Sequence, residues 1–595
     1  MADAGGAVSA YGRRRAFASG RRPHPVAYCL LFCLAFLMAP VTQGQVPAPS
    51  QLTPPTLRPA DPPAHPPAAP TPPAHEAPAQ RGQESALSSI NVQVDSIVVE
   101  GGFEDLAKTS QSLLGQYSHR RINGEEIFRV AGALEQAYVS AGYLLVRISM
   151  PAQTLRDGAV LRLRLIDGTI EDINADQVPA RVRRTVLKRV SPLIGRRAIR
   201  LTDLEHYLLL AGNIGGVQLR STLVAGQAAG TSRLVLAATH KIFAGTMSVD
   251  NRLSSAQGPW EAALSCSASS LLGWGEQLYG YGSGAKPNMP ARFGRALGVA
   301  GGGFVLPLLA GGLSVNPEYT VSKTRTDAQA QIPATNGVFE RAALRLTQAL
   351  TISRAENDEI TLSVESLRQT VELPQFGVQL NADRYRAARL QWSQQIRMAN
   401  GLVESAGLTL SHGLGGRSAK DAATSGIALS RQGAQDNFST LAGRLDLVQP
   451  AGVLQFRFTA AAQTAFHQAV FRSEQFALEG PEGISAFAPG SLPVDQGSTV
   501  RGQLEYPWGR SVRTGVGSLT PYLMVAHGAG DINRPSNAEP HAVHANAWGA
   551  GLVSAWSASE SDRGAQLQLE IAHGSSTLAA NKDGFYAHAS LVVRF

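Results

Sequence analysis

From residue 241 onwards, apolar and polar residues alternate in one short segment after another. ALRLTQALTI (343–352) puts Leu344, Leu346, Leu350 and Ile352 on one face. EITLSVES sets Ile360, Leu362 and Val364 against Thr361, Ser363 and Glu365. LAGRLDLV sets Leu441, Gly443, Leu445 and Leu447 opposite Arg444 and Asp446, and LQFRFTA sets Leu454, Phe456 and Phe458 opposite Gln455 and Arg457. AQLQLEIAH sets Ala565, Leu567, Leu569 and Ile571 opposite Gln566, Gln568 and Glu570. The final FYAHASLVVRF sets Phe585, Ala587, Ala589, Leu591, Val593 and Phe595 against Tyr586, His588, Ser590, Val592 and Arg594. A period of two is the signature of a strand with one apolar and one polar face. At about ten residues per strand and about 22 per strand plus loop, the region holds about 16 strands. A soluble sandwich and a transmembrane barrel both produce this alternation. The Arg, Asp, Glu and Gln of the second face suit a wet lumen, and the export signal described below favours a barrel.

Residues 89–240 have a different period. INVQVDSIVVEGG reads as a strand ended by a Gly pair. GEEIFRVAGALEQAYVSAGY carries Ile127, Val130, Leu134, Ala137 and Tyr138 at helical spacing and stops at Gly142. LLVRISMP and AVLRLRLIDG are strands on either side of a DG turn. The order recurs roughly. RVRRTVLKRVSPLIG and LTDLEHYLLLAGNIGG are helices, the second with a Thr/Asp cap, and VQLRSTLV and SRLVLAATH are strands. Two α+β modules, 89–168 and 169–240, therefore precede the β region 241–595, and the fold class is mostly β.

The N-terminus reads as an export signal over 1–44. Arginines at 13–15 and 21–22 precede the apolar VAYCLLFCLAFLM (26–38), which is too short for a confident membrane helix, and small residues Thr42 and Gly44 follow. Residues 45–88 form a linker whose first part is dense in proline, extended and polyproline-like. The net charge of +8 partly reflects the N-terminal arginines, and no dense basic run with aromatics follows, so nucleic acid is not an expected partner. With Cys29 and Cys33 inside the signal, Cys266 stands alone, and no metal or cofactor is expected. GYGSGAK (280–286) lacks the G-K-[ST] of a phosphate loop, and neither G-x-S-x-G nor H-E-x-x-H occurs, so no enzyme is expected.

Two small modules before a β-barrel resemble the outer-membrane transporters of two-partner secretion, the haemolysin/haemagglutinin secretion-activation proteins of the Omp85 superfamily. AYVSAGYLLVRISMPAQTLRDGAVLRLRLIDGTIEDI resembles the family's first POTRA module, with Asp167–Gly168 where EG is usual. LTDLEHYLLLAGNIGGVQLRSTLVAG resembles the second, with His206 for the usual Arg and Gly215 for the usual Pro. VDNRLSSAQGPW and SSLLGWGEQL resemble the start of the barrel. The family's most specific motif lies in a loop that folds into the lumen, close to LGG-P-x-G-VRAY followed by a GDQG-like stretch. Its counterpart is LEGPEGISAFAPGSLPVDQGSTVRGQLEY (478–506). There Gly480, Pro481, Gly483, Phe487, Asp495 and Gly497 match, and Ile484, Ser485 and Ala486 stand at the VRA positions. The family's arginine pairs with an acidic group inside the barrel and holds the loop, whereas Ser485 keeps a hydroxyl but no charge. VRG at 500–502 follows the DQG and reads as the start of the next strand.

The resemblance implies an outer-membrane pore with periplasmic POTRA domains and, as family expectation, a monomer. It would take up an unfolded secreted partner bearing a two-partner-secretion domain and pass it to the cell surface. Tyr143, Leu144, Val146, Ile148, Pro151 and Gln153 are the candidate docking residues of the first module, through β-augmentation. Phe595 resembles the terminal signal that barrel-assembly machinery reads, and lipid and lipopolysaccharide are the expected surroundings. The family often carries a plug helix before the first module, but 45–80 is too rich in proline to be one. An Omp85-type assembly factor, usually with more than two modules, and a passive porin, which needs none, are the alternatives. Ser485→Arg, which restores the family residue, is the direct test of the loop.

Overall fold

The computed structural model describes residues 91–595 except 229, 255–256, 286–296, 310, 327–332, 509–516, 538, 558–562 and 579–582. The expected export signal, linker and any plug helix lie outside the described residues. Among the described residues, β1 (Asn91–Glu100), β2 (Arg120–Asn123), β3 (Arg147–Ser149) and β4 (Ala159–Ile166) form a sheet of order β2-β1-β4-β3. Two helices accompany it, α1 (Ala107–Gly115) and α2 (Gly124–Ser140). The start of α2 is fixed locally. Asn123 Oδ1 accepts the Glu126 N–H at 2.8 Å, and Glu126 Oε2 accepts the Asn123 N–H at 3.1 Å. Its buried stripe is Ile127, Val130, Leu134 and Tyr138, and Gly142, at φ 97°, turns the chain after its end. The helix α1 has no such stripe, burying only Ser110 and Leu114, which is why periodicity missed it.

The second module contains β5 (Thr169–Gln177), α3 (Ala180–Val190), α4 (Leu201–Gly212), β6 (Val217–Ala225) and β7 (Thr231–His240), with sheet order β5-β7-β6. The cap of α4 works backwards from the expected Thr/Asp start, because Asp203 Oδ2 accepts the N–H of Arg200 at 3.1 Å. Arg200 also joins the modules. Its Nη2 donates to Asp105 Oδ2 and to the Tyr143 hydroxyl, both at 2.8 Å, and its guanidinium lies 5.0 Å over the Tyr143 ring. Burial, followed by donation to Asp105, raises the Tyr143 phenol above its ordinary pKa, so it stays a donor.

The remaining strands, up to the loop taken up below, are β8 (Phe243–Asp250), β9 (Glu261–Ser269), β10 (Gln277–Ala285), β11 (Leu297–Pro307), β12 (Leu313–Thr326), β13 (Thr335–Ile352), β14 (Glu356–Leu373), β15 (Val378–Arg397), β16 (Val403–Gly416), β17 (Ser439–Ala451) and β18 (Leu454–Thr464). A short pair within that loop, β19 (Phe476–Ala477) and β20 (Pro493–Val494), is followed by β21 (Gln496–Glu505), β22 (Ser518–Asp531), β23 (Ala542–Ser557), β24 (Gly564–Ser576) and β25 (Gly584–Arg594). Among the described residues, β8 to β18 and β21 to β25 close into a sixteen-stranded barrel. Its polarity is inverted. Leu344 and Leu362 are 50% exposed, as are Phe456, Phe458, Ile571 and Phe585 to similar degrees, whereas Glu365, Arg501 and Glu570 are buried at 6%, 2% and 1%. A soluble sandwich hides its apolar face in a partner sheet. Here that face points outward around a closed ring, as lipid contact requires.

Ile352 departs from the sequence reading that placed it beside Leu350. A register shift between Ala349 and Thr351 reverses the alternation, and Ile352 packs inward against Leu209 and Leu210 of α4. This contact belongs to a wider dock. Arg181 Nη1 on α3 donates to Leu271 O at 2.8 Å, Lys188 Nζ donates to Leu308 O at 3.3 Å, and Arg354 pairs with Glu205 at 3.3 Å. The second module thus sits on the turns between β9 and β10, β11 and β12, and β13 and β14.

The seam that closes the barrel is short. The strands β25 and β8 share five register pairs, Ser590↔Asp250 to Arg594↔Thr246, against eleven between β24 and β25. Two additions lengthen it. Phe595 and Gly245 exchange both backbone hydrogen bonds, and the Phe595 ring lies where a Cβ on Gly245 would come within 2.5 Å. At the other end, Asn251 acts as a further strand residue, with Nδ2 donating to Ala587 O at 3.0 Å and Oδ1 accepting the Ala589 N–H at 2.8 Å. Asn251→Ala removes two hydrogen bonds, about 1–2 kcal/mol together. It is expected to lower the temperature at which the folded barrel converts to the unfolded band on electrophoresis. An unchanged transition would show that the seam does not depend on that side chain.

Candidate functional site

The loop 465–495 joins β18 to β21 and runs through the lumen. Its stem grips one wall. Glu474 accepts from Arg389 of β15 at 2.9 and 2.6 Å and from the Tyr385 hydroxyl at 2.7 Å. Arg389 is held in turn by Glu365 at 3.1 Å and Ser411 at 2.8 Å. The Phe471 ring stacks on Tyr385 at 4.4 Å and 3°, with Phe438 edge-on.

The tip grips a different wall. Leu478, Ile484, Ala486, Phe487, Leu492 and Val494 pack against Tyr522, Met524 and Ala526 of β22, Val543, Ala545 and Ala547 of β23, and Ala572 of β24. The wall is carved to receive them. A Cβ on Gly528 would come within 2.7 Å of Ile484 Cδ1, and one on Gly574 within 2.7 Å of Ala486 Cβ and 3.0 Å of Phe487 Cζ. In ring order β15 and β24 are seven strands apart, so the loop crosses the bore.

The expected loop residues make the tip. Gly480, at φ 132°, and Gly483, where a Cβ would meet Leu478 O at 2.8 Å, shape the turn around Pro481. Gly497 packs closely on the β22 backbone, leaving 2.6 Å to Ala529 O for a Cβ. Glu479 binds the tip into one body by accepting the Gly490 N–H at 2.5 Å and the Leu492 N–H at 3.1 Å. Asp495, fully buried, accepts from Arg431 at 2.9 Å, the Asn533 N–H at 2.7 Å and Gln475 at 3.0 Å.

Ser485 is buried and accepts a hydrogen bond from Arg501 Nη1 at 2.8 Å. Arg501 Nη2 pairs with Glu570 Oε2 at 2.7 Å, and Tyr522 donates to the same oxygen at 2.8 Å. The VRG segment is indeed strand, but its arginine is no bystander. The charge missing from the loop is supplied by the wall. Alternation held a signal for it: in β21, Val500 and Leu504 face outward, so Arg501 shares the lumenal face with Thr499 and Glu505. With its oxygen facing Arg501, the Gln503 amide accepts from Arg501 Nε at 2.8 Å and Nη2 at 2.7 Å. Glu474, Arg389 and Arg431 had no sequence signal beyond lying on a lumenal face or in a loop.

The candidate docking residues of the first module are placed otherwise than a docking surface requires. Tyr143 and Val146 are buried in that module's own core, and Leu144 packs against the core of the second. Ile148 and Pro151 are half-buried. Glu135 Oε2 accepts the Ile148 N–H at 3.1 Å, and Gln153 accepts from the Arg162 N–H and donates to Arg162 O, mimicking a strand. These side chains complete the module's own joints and edges.

A family model described as haemolysin secretion/activation protein ShlB/FhaC/HecB matches residues 230–553, more than half of the chain, and a ShlB-type POTRA domain matches 92–168. The chain belongs to the haemolysin secretion/activation family. Among curated relatives, the heme/hemopexin transporter protein HuxB of Haemophilus influenzae is 24% identical over 168 residues, 28% of this chain and 30% of HuxB, so the match spans under a third of that relative. Among solved structures, CdiB from Escherichia coli superposes with a TM-score of 0.64 at 16% identity, covering 89% of this chain and 94% of that one. CdiB from Acinetobacter baumannii gives 0.58 at 14%, covering 96% and 97%. These likenesses support the fold: a haemolysin secretion/activation barrel of the outer membrane with its POTRA modules in the periplasm. At the loop tip Ser485 offers a neutral hydroxyl, and the wall supplies the cation, Arg501.

Proposed function

We propose that this chain is the outer-membrane pore of a two-partner secretion pair. An unfolded secreted partner bearing a two-partner-secretion domain meets the POTRA modules in the periplasm, threads the charged lumen past the loop and folds outside. The observation that carries this reading is the loop anchored across a lipid-facing barrel by Ser485, Arg501 and Glu570, at the segment where the family's lumen motif lies. A plain porin has no need of two modules docked on its periplasmic turns.

Docking by β-augmentation falls on backbone edges rather than on Tyr143 or Val146. The strand β6 is one of the two outer strands of the second module's sheet, and among the described residues no side chain caps it. Folding of the partner outside supplies the drive. In this reading Phe595 is read by barrel-assembly machinery, and lipid and lipopolysaccharide surround the barrel. The test is secretion of a co-expressed partner carrying a two-partner-secretion domain. The full chain is expected to secrete it, and removal of residues 91–240 to abolish secretion while the barrel still inserts. Secretion that survives the removal rules out the docking step. Ion conduction with no secretion of any such partner favours a passive porin.

A further inference from the structure

We propose that the outer wall of the barrel carries a phosphate site for lipopolysaccharide, formed by Lys323 and Arg325 of β12, Arg368 of β14, and Arg384 and Arg386 of β15. This deepens the reading that such lipid surrounds the barrel, and it does not depend on transport. Alternation fixes where the five side chains lie. Ser322 and Thr324, Leu367 and Gln369, and Asp383, Tyr385 and Ala387 are buried on the lumenal side. The cations beside them therefore face outward, and all five are exposed.

Strand register gathers them into one patch. Arg384 stands directly opposite Arg368, and Arg386 stands opposite Ser366, one step along the same face. Across β13, Arg368 is paired with Glu340, Lys323 with Val338 and Arg325 with Asn336. Arg325 Nε donates to Asn336 Oδ1 at 3.1 Å. Among the described residues, the side chains of Lys323, Arg368, Arg384 and Arg386 make no ion pair and no hydrogen bond. Two carboxylates, Glu340 and Glu372, share the face without pairing to any of them. Like charges directly opposite on a sheet destabilise it, and nothing in the chain compensates Arg368 and Arg384. A bound phosphate supplies the missing negative charge.

Height identifies the anion. The second module marks the periplasmic side at the turn between β13 and β14, where Arg354 pairs with Glu205. Arg368 is twelve residues along β14 from its start at Glu356. At ~3.3 Å per residue and a tilt of about 40°, it stands about 30 Å up, just beyond an apolar band of about 25 Å. Below it the same face carries Leu344, Leu362, Val364 and Leu390, 44–50% exposed, a surface for acyl chains. Cations directly above an acyl-chain wall, on the extracellular side, meet the phosphates of a glycolipid head. The patch is also local. At the extracellular ends of β21 to β25, the outward positions carry Val500, Val525, His527, Trp548 and Phe585, and no Arg or Lys among the described residues. Charge confined to one sector marks a site rather than a general girdle.

The test is lipid retention by the purified full chain, read by native mass spectrometry after incubation with an equimolar mixture of diphosphoryl lipid A and phosphatidylethanolamine. The parent is expected to retain lipid A in preference, and inorganic phosphate is expected not to displace it. Arg368→Gln/Arg384→Gln/Arg386→Gln is expected to retain about tenfold less, the scale of losing charge-assisted hydrogen bonds to phosphate. Arg121→Gln/Arg129→Gln/Arg162→Gln, an equal loss of charge on the first module, is expected to retain as much as the parent. Added lipid A is expected to raise the heat-modification temperature of the parent and not of the wall variant. Unchanged retention by the wall variant, equal loss in both triple variants, displacement by inorganic phosphate, or equal retention of phosphatidylethanolamine overturns the site. Should the wall variant fail to fold, Arg384→Gln decides: severalfold weaker retention is expected, and unchanged retention overturns the proposal. Failure of the transport reading has a different signature, lipid A retained by a chain that secretes no partner.

Discussion

Arg501→Gln is expected to unfasten the loop tip and destabilise the barrel together. Glu570 loses its cation while 1% exposed, and an unpaired buried charge costs about 3–5 kcal/mol. Tyr522 still donates to Glu570, which offsets a part of this. The expected readouts are a lowered heat-modification temperature and a larger KCl current at rest. Unchanged values for both would remove Arg501 from the anchor. The pairing also sets the expected outcome for Ser485→Arg. The substitution places a second guanidinium at a site that already takes a hydrogen bond from Arg501 at 2.8 Å. The single variant is therefore expected to hold the tip worse than serine does. The exchange Ser485→Arg with Arg501→Ser returns one cation to Glu570 and is expected to recover a closed resting pore.

Gly574→Val is expected to expel the tip and leave the barrel intact. The added side chain starts 2.7 Å from Ala486 Cβ and 3.0 Å from Phe487 Cζ. The wall cannot yield, because Gly574 is paired on both sides, with Ala547 of β23 and Gly584 of β25. The tip must give way, and Phe487 leaves its socket. Resting current is expected to rise severalfold, with the heat-modification temperature within a few degrees of the parent, since the Arg501–Glu570 pair is untouched. A lowered transition temperature with normal current would place Gly574 in barrel stability instead. The two substitutions thus separate holding the tip from holding the wall.

The sequence carried most of the architecture, because lipid and lumen demand opposite faces of each strand, and a period of two reports this directly. Leu344, Phe456, Ile571 and Phe585 face outward as their alternation indicated. Ile352 did not, since one register shift reverses every face beyond it. The segment 478–497 could be located by its motif, but its anchor could not. Arg501 and Glu570 are 69 residues apart, and their meeting depends on strand register and on which wall the loop reaches. The socket was hidden for a related reason. Ala526, Ala545, Ala547 and Ala572 are uninformative singly, and only the closed barrel stacks them into one hollow. Likewise, the resemblance that offers Tyr143 and Val146 as docking candidates does not say that the first module's own core covers them.

The five-pair seam also bears on how the barrel comes to exist. Until β25 meets β8, the chain is an open curved sheet with two unsatisfied borders, and such borders adhere to one another and to other chains. Asn251 and Ala589, whose contact extends the seam, lie 338 residues apart, but the entropic cost of joining distant segments grows only with the logarithm of their separation. The hazard is therefore exposure time more than thermodynamic cost. A short final zipper, finished by one asparagine side chain and one phenyl ring over Gly245, lets closure be the last and smallest event after the long hairpins are in place.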